Sequence, residues 1–421
     1  MRANSVNDLR GQQILGILDI GTSKVAAAVV LASAADTQAP VRVIGLGLQR
    51  SKGVKAGVLT DLDEAEMAVR AAISQAERAA GVTLDGVTVA VSCGRLKSTH
   101  FSANADIASG TVTDDDVERM LAGGRAYAER DGRTLLHMNQ LGYRLDGIEG
   151  VREPRGLAAR HLLAHLHAVT ADEAPLRNLL LLIERCHLNC DGLVATPYAS
   201  ALATTTPEER ELGVTCLDLG AGTSTVSLFT DGRFVGADVI PVGSQHITFD
   251  IAKALQTPLV EAERIKTLYG TLVSAQSDEH ECFSYPLAGE EDGASYQTTK
   301  ARLTDIIRPR VAQVLSLVRE RLSQNGASAY AGNRVVLTGG ASQLLGNTEF
   351  TANELGMPVR AARPLAIPGL ADSVGGPQFA TLAGLALAVT NPAADFGGYR
   401  SQSGRSQGYL GRVGTWLKAG F

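Results

Sequence analysis

Long apolar runs, paired cysteines and basic stretches are all missing from this sequence. No run of about 18 apolar residues occurs, so no segment is predicted to span a bilayer, and residues 1–12 are too polar for a secretion leader. The five cysteines are an odd number, and Cys186 and Cys190 lack the second pair or the spaced histidines of a zinc site. We therefore interpret all five as reduced thiols of a cytoplasmic protein. A net charge of −5 without a basic stripe argues against a nucleic-acid partner.

The rest of the composition is ordinary for a soluble globular protein, with 45% hydrophobic and 20% charged residues. A chain of 421 residues exceeds the usual single core. Two or more domains are therefore expected.

Two copies of a glycine-rich turn are the most informative feature of the chain. Each copy lies between two short apolar runs, a pattern that predicts a β-hairpin. Glycine lets backbone N–H groups approach a polyphosphate, the hydroxyls add donors, and the Asp before each turn suits a hydrated magnesium ion. The predicted phosphate-binding residues are Asp19, Gly21, Thr22, Ser23 and Lys24 in the first copy, and Asp218, Gly220, Ala221, Gly222 and Thr223 in the second. The repetition predicts a duplicated core that closes on one nucleotide from both sides.

A third element completes the predicted site. The run from Val335 to Thr338 reads as a strand that ends in a Gly-Gly turn and opens a helix. A flat adenine ring can lie against such bare backbone. The predicted residues are Gly339, Gly340, Ala341 and Ser342.

The order of these three elements resembles the actin-like ATPase superfamily, and the whole arrangement most resembles the FtsA family of bacterial cell-division proteins. The resemblance runs from about Ile14 to the C-terminus and rests on both phosphate turns, the 53–62 and 211–214 stretches, the 261–266 segment and the Gly-Gly turn. It implies an α/β fold of the actin-like ATPase type, with two duplicated halves around a nucleotide cleft, an inserted small α/β subdomain and a C-terminal amphipathic helix.

The resemblance also implies a division of the chain into subdomains named 1A, 1C, 2A and 2B. The predicted ranges are 12–83, 169–207 and 375–390 for 1A, 84–168 for the inserted 1C, 208–243 and 311–374 for 2A, 244–310 for 2B, 391–408 for a flexible linker and 409–421 for a membrane-targeting helix.

The bound nucleotide implied by the resemblance is ATP with Mg²⁺. Asp19 and Asp218 would hold the metal through water, and Glu263 and Lys266 would reach the ribose and adenine. The spacing of Glu263 and Lys266 taken alone favours a solvated surface ion pair, and only the other motifs favour the nucleotide contact. Thr196 lies where filament-forming relatives carry a catalytic Glu or Gln, and the 193–201 segment has no carboxylate or amide. We therefore expect slow or negligible ATP hydrolysis, with no confident catalytic residue.

The end of the sequence predicts a membrane anchor. Residues 391–408 are rich in Gly, Ser, Arg and Gln, a composition typical of a flexible linker. On a helical wheel the following apolar residues fall within a sector of roughly 140°, flanked by basic residues and containing the only tryptophan. The predicted membrane-contacting residues are Leu410, Arg412, Val413, Trp416, Leu417, Lys418 and Phe421. Such a helix suits the surface of a bilayer, and a tail folded on the body or left disordered is the alternative.

Further partners are implied by the resemblance. Arg308 and Arg310 would hold the acidic C-terminal peptide of the tubulin-like ring protein FtsZ, although a charge pair at a helix start around Pro309 is the plainer interpretation. The chain would also form filaments with itself and bind later division proteins through subdomain 1C. It would lie at the cytoplasmic face of the inner membrane, at the division septum.

Two other functions remain open at this point. A PilM-like type IV pilus adaptor shares the core and the inserted module but would not be expected to end in a linker and an amphipathic helix. A sugar or acetate kinase would need a catalytic carboxylate in the cleft, where Asp191 and Asp231 are the available candidates. A chaperone ATPase is disfavoured because no substrate-binding domain follows the core.

Overall fold

A computed structural model describes residues 12–33, 41–289, 295–324, 332–370 and 374–390. In chain order the strands are β1 (Gln12–Ile20), β2 (Lys24–Ser33), β3 (Val41–Arg50), β4 (Val54–Lys55), β5 (Val58–Leu59), β6 (Gly86–Val91), β7 (Lys97–Asp106), β8 (Arg133–Leu145), β9 (Ile148–Val151), β10 (His161–Asp172), β11 (Asn189–Ala195), β12 (Val214–Leu219), β13 (Ser224–Thr230), β14 (Arg233–Ile240), β15 (Cys282–Tyr285), β16 (Tyr296–Thr299), β17 (Val335–Thr338) and β18 (Val359–Ala361). The helices are α1 (Leu62–Ala80), α2 (Asp114–Ala128), α3 (Glu173–Arg185), α4 (Thr196–Thr204), α5 (Pro207–Leu212), α6 (Ser244–Leu255), α7 (Leu259–Tyr269), α8 (Lys300–Gln324), α9 (Asn347–Leu355) and α10 (Ala380–Ala388).

Two five-stranded sheets repeat the same topology. The first has the order β11-β6-β1-β2-β3 and the second the order β14-β13-β12-β17-β18. In each sheet three consecutive strands are antiparallel, and two later strands add in parallel beside the first of them. The duplication predicted from the two glycine-rich turns is therefore present in the strand order, and the turns occupy equivalent β1–β2 and β12–β13 connections.

Helix α4 connects the two halves. The first sheet lies between α1 and α3 on one face and α4 and α10 on the other. Tyr198 of α4 also packs on Phe229 and Phe234 of the second sheet. A Cβ on Gly384 of α10 would overlap the carbonyl oxygen of Ala199, so the two helices approach backbone to backbone. Helix α10 therefore lies against α4, the connection between the two halves.

The inserted module forms a separate four-stranded sheet, β7-β10-β8-β9, with α2 packed on it. Helix α2 starts after Thr113, because Thr113 and Asp116 form a reciprocal capping box. The strand at 87–91, which the sequence analysis placed in this module, is instead β6 of the first sheet, paired in parallel with β1 and β11. The module therefore begins after β6, and residue 84 is too early a boundary.

Two further elements differ from the sequence-based expectation. Pro309 lies inside α8, which begins at Lys300, so the arginines beside it are not at a helix start. A proline at this position lacks the N–H that would bond the preceding turn. The Gly-Gly turn opens a short 3₁₀ turn, Gly340–Gln343, before α9 rather than a continuous helix.

Candidate nucleotide site

The two glycine-rich turns close in the same way and face each other. The backbone N–H of Gly21 donates to the carbonyl of Lys24 at 3.0 Å, and that of Gly220 donates to Thr223 at 2.9 Å. A Cβ on Gly222 would overlap Thr22 Oγ1, so the second turn can meet the first only without a side chain there. Both halves of the chain therefore contribute adjoining backbone donors to one cleft.

The cleft encloses a cavity of about 520 Å³. All the residues predicted to bind nucleotide, except Ser342, line this cavity. Ser342 is buried behind it, where its hydroxyl donates to the carbonyl of Gly339 at 2.7 Å. Four segments that are distant in the sequence thus meet at one cavity, as predicted. Contacts between these residues and a nucleotide stay a prediction.

The two acidic residues are buried side by side in the cavity wall. Asp19 is 9% and Asp218 8% exposed. Burial raises the pKa of Asp19, and the nearby Lys24 ammonium counters this. Burial also raises the pKa of Asp218 to about 6, against the opposing effect of Lys24, while the neighbouring Asp19 adds to the rise. Carboxylates that are costly to keep charged in an empty site suit a bound cation, and oxygen is the ligand that Mg²⁺ prefers.

Lys24 lies between the two halves of the cleft. Its ammonium donates to the carbonyl of Gln378 and lies 4.9 Å from the centre of the Phe379 ring. The ammonium has three N–H donors, so it could bond to a phosphate oxygen while keeping the Gln378 carbonyl, and this role stays a prediction.

The Glu263–Lys266 pair is solvated on one side only, because the Glu263 side chain is 55% exposed while that of Lys266 is buried. Lys266 is only 8% exposed, and its Nζ donates to Glu263 Oε2 at 2.7 Å and to Thr248 Oγ1 at 2.9 Å. Thr248 in turn donates to the same Glu263 oxygen at 2.5 Å. Glu263 and Lys266 both line the cavity, and their contact with a ribose or adenine stays a prediction.

The glycine at the start of the adenine turn is required by geometry. Gly339 has φ 86°, in the region that favours glycine, and a Cβ there would overlap Asp218 Oδ1 and lie 2.5 Å from the carbonyl oxygen of Leu219. The turn therefore packs its bare backbone directly on the Asp218 carboxylate.

Several cavity residues were missed by the sequence analysis. They are Ser92, Thr225, Ser244, Gln343, Gln378 and Thr381. Gln343 of the second half donates to the Gln378 side chain of the first half at 3.2 Å, which links the two sides of the cleft. These residues belong to no motif, although Thr225 follows directly on the second phosphate turn and could have been considered. Thr196, expected in place of a catalytic carboxylate, does line the cavity.

The predicted peptide-binding arginines are both engaged within the chain. Arg310 donates through Nε and Nη2 to both carboxylate oxygens of Asp250, at 2.6 and 2.8 Å. Arg308 is exposed, donates to Ser274 Oγ at 3.1 Å and lies over the Phe350 ring. The predicted linker and the membrane-contacting residues lie outside the described residues. Within the described ranges, no helix is both long and apolar enough to cross a membrane.

Similarity to solved structures shows the fold. The PilM–PilN type IV pilus biogenesis complex superposes with a TM-score of 0.63 at 17% identity, covering 89% of this chain and 98% of that one. The structure of MreB5 of Spiroplasma citri bound to ADP superposes with a TM-score of 0.53 at 13% identity, covering 90% of this chain and 98% of that one. With the duplicated sheets and the cleft between them, these neighbours define a protein of the actin-like ATPase fold, as predicted.

Similarity in sequence is much higher to one family. The family model "Cell division protein FtsA" matches residues 215–384, and "SHS2 domain inserted in FTSA" matches residues 93–170. Cell division protein FtsA of Agrobacterium fabrum is 39% identical over 420 residues, covering 97% of this chain and 95% of that protein. The proteins of that name from Neisseria meningitidis and Escherichia coli K12 are each 32% identical, covering 97% and 87% of this chain and 99% and 88% of their own lengths. The chain belongs to the FtsA family of cell division proteins, and the resemblance stated from its motifs is confirmed.

Proposed function

We propose that this chain is the ATP-binding adaptor that attaches the FtsZ ring to the inner face of the cytoplasmic membrane. The observation that carries the proposal is the cavity between the duplicated halves, lined by both phosphate turns and two buried carboxylates, in a member of the FtsA family. In this proposal ATP with Mg²⁺ stabilises the closed conformation, which forms filaments at the division septum. The inserted module receives later division proteins.

Hydrolysis is expected to be slow. Among the described residues of the cavity wall, Thr196 lies where a catalytic carboxylate or amide was expected, and the amides of Gln343 and Gln378 are hydrogen-bonded to each other. The Thr196 side chain has no carboxylate or amide with which to orient the attacking water. Phosphate release on vesicles should be on the order of 10⁻⁴ to 10⁻² per second, the range of NTPases that act without a complete catalytic set. The Asp218→Asn variant serves as the background control for this assay. A turnover near 1 per second by the unmodified chain would contradict the expectation.

The peptide contact is expected to involve α8. A carboxylate-rich FtsZ C-terminal peptide would approach Arg308 directly and would compete with Asp250 for Arg310. Arg310→Glu should abolish detectable peptide binding, because the new carboxylate would also repel that of Asp250, and Arg308→Glu should weaken binding at least about 10-fold. Asp250→Asn should strengthen binding, since it releases the Arg310 guanidinium. Fluorescence anisotropy of a labelled peptide with the full chain measures all three.

Arg302→Glu provides the matched control for this series. Arg302 is exposed on the same helix about two turns before Arg310, and its reversal makes the same charge change at a distance of about 12 Å along the helix axis. If Arg302→Glu weakens peptide binding as much as Arg308→Glu and Arg310→Glu do, the losses come from the net charge of the chain and not from a contact at these two residues. Unchanged affinity in Arg310→Glu, with ATP binding intact, would refute the assignment.

Membrane attachment is proposed to depend on assembly. Burial of the five apolar tail residues contributes roughly 8–12 kcal/mol, and ordering the glycine-containing segment costs about as much. Basic residues near anionic lipid add about 1 kcal/mol each. A single tail should therefore bind weakly, whereas many tails on one filament bind firmly through their effective concentration.

The alternatives are less well supported. The similarity to PilM is one of fold at 17% identity, whereas FtsA proteins match nearly the full chain at 32–39%. Neither candidate carboxylate of the kinase hypothesis lines the cavity, because Asp191 is on β11 beside Asp85 and Asp231 is in the β13–β14 turn. A cleft without these carboxylates disfavours sugar phosphorylation.

A further inference from the structure

Glu263, the predicted ribose contact, is held by a buried threonine of the neighbouring helix. Thr248 of α6 is 4% exposed and does not line the cavity. Its hydroxyl accepts a hydrogen bond from Lys266 Nζ at 2.9 Å and donates to Glu263 Oε2 at 2.5 Å. The carbonyl of Ser244 is farther away, at 3.3 Å, so the one hydroxyl proton goes to the carboxylate. A bond to an ionised acceptor is also the stronger of the two.

The Lys266 ammonium uses its three donors within the described chain. They reach Glu263 Oε2 at 2.7 Å, Thr248 Oγ1 at 2.9 Å and the carbonyl of Ser244 at 3.3 Å. Ser244 begins α6, and its N–H donates at 2.9 Å to the carbonyl of Gly220 in the second phosphate turn. The Glu263 carboxylate is therefore connected to that turn by a continuous set of hydrogen bonds.

Glu263 itself has room for a ligand. Its side chain is 55% exposed and lines the cavity. A carboxylate accepts about four hydrogen bonds, and Thr248 and Lys266 supply two of them at the same oxygen. Without these two bonds a half-exposed glutamate would sample several rotamers in water, and binding a ligand would then cost that freedom.

We propose that Thr248 is a positioning residue that holds the Glu263 carboxylate in place for the hydroxyls of a ribose, so that the site prefers ribonucleotides to nucleotides without these hydroxyls. The assignment rests on the proposed binding of nucleotide. A ribose hydroxyl donates to a carboxylate, and a carboxylate fixed in advance gains more affinity from that bond than a mobile one. Thr248 touches no nucleotide, so its effect should appear only through Glu263.

The test is titration calorimetry of the full chain with ATP and with 2′,3′-dideoxy-ATP, both in Mg²⁺. The unmodified chain should bind ATP about 10-fold more tightly, the difference expected for a hydrogen bond to a charged group. Thr248→Val removes the hydroxyl at nearly constant volume. It should reduce this preference about 3- to 5-fold by weakening ATP alone, because the glutamate regains rotamer freedom. Thr248→Ser retains the hydroxyl and should restore the preference.

A double variant shows whether Thr248 acts through Glu263. Glu263→Ala removes the acceptor from a half-exposed position and should abolish the preference for ATP. Adding Thr248→Val to Glu263→Ala should change neither affinity further, because no carboxylate is left to position. If the two substitutions instead lower ATP affinity independently, the assignment is wrong.

Thr304→Val is the matched control. Thr304 of α8 is 2% exposed, and its hydroxyl donates to the carbonyl of Lys300 at 3.1 Å, but it does not line the cavity. Its replacement should leave both affinities unchanged. An unchanged preference in Thr248→Val, or an equal loss for both nucleotides, would overturn the assignment.

The unmodified chain separates this assignment from the proposed function. If it binds ATP and 2′,3′-dideoxy-ATP equally well, Glu263 does not contact the ribose, and the assignment fails while nucleotide binding itself stands. If it binds neither nucleotide, the proposed function fails and the assignment fails with it.

Discussion

Gly339→Ala is expected to weaken binding of Mg–ATP by about 30-fold or more. Alanine at φ 86° and ψ 166° is strained by about 1–3 kcal/mol, which lowers the stability of the fold. Its methyl group would also displace the Asp218 carboxylate on which the turn packs, and this displacement lowers the affinity for nucleotide. A 30-fold loss of affinity corresponds to about 2 kcal/mol. Nucleotide titration and thermal unfolding of the same variant measure the two consequences.

Gly356→Ala separates strain from displacement. Gly356 belongs to the same half and has φ 68°, but nothing lies within 4 Å of an added Cβ. It should lower the melting temperature through strain alone and leave nucleotide affinity unchanged. If Gly339→Ala binds Mg–ATP as tightly as the unmodified chain, the adenine turn does not form the site.

Trp416→Glu is expected to lower the affinity of the chain for anionic vesicles by about 100-fold. The tryptophan contributes about 2–3 kcal/mol through burial of its ring, and a carboxylate in its place is repelled by the lipid surface. Co-sedimentation with vesicles of phosphatidylglycerol and phosphatidylethanolamine, at a protein concentration below assembly, measures the change.

Thr415→Glu is the control for charge. Position 415 falls opposite the predicted apolar sector, so the same carboxylate would face water. Its effect should be several-fold at most. Equal losses in both variants would mean that the tail does not bind as an amphipathic helix, and no loss in either would place the membrane contact elsewhere.

The elements that local sequence specifies were predicted well. Asp61 accepts a hydrogen bond from the N–H of Glu64 at the start of α1, and Gly81 ends that helix at φ 70°, both as their residue types indicate. The two phosphate turns were found for the same reason, since glycine, hydroxyl and aspartate act within a few residues of chain. Their repetition was enough to predict the duplicated fold.

The features that the sequence analysis did not predict depend on contacts between distant segments of the chain. The composition of β6 indicates a strand, but its sheet is decided by pairing with β1 and β11, the latter about a hundred residues away. The hydrogen bond from Arg310 to Asp250 spans 60 positions, and that from Lys24 to Gln378 spans 354. The sequence around Arg310 or Lys24 does not indicate which distant residue each will contact.

The sequence by itself therefore determined the secondary elements, the duplicated phosphate turns and the family, because these depend on backbone geometry and side-chain chemistry within short windows. Only the tertiary structure decided which charges are already paired, which residues line the cavity and where the inserted module begins. Those features depend on burial and on the approach of strands far apart in the chain, and a residue's type does not reveal which groups will surround it.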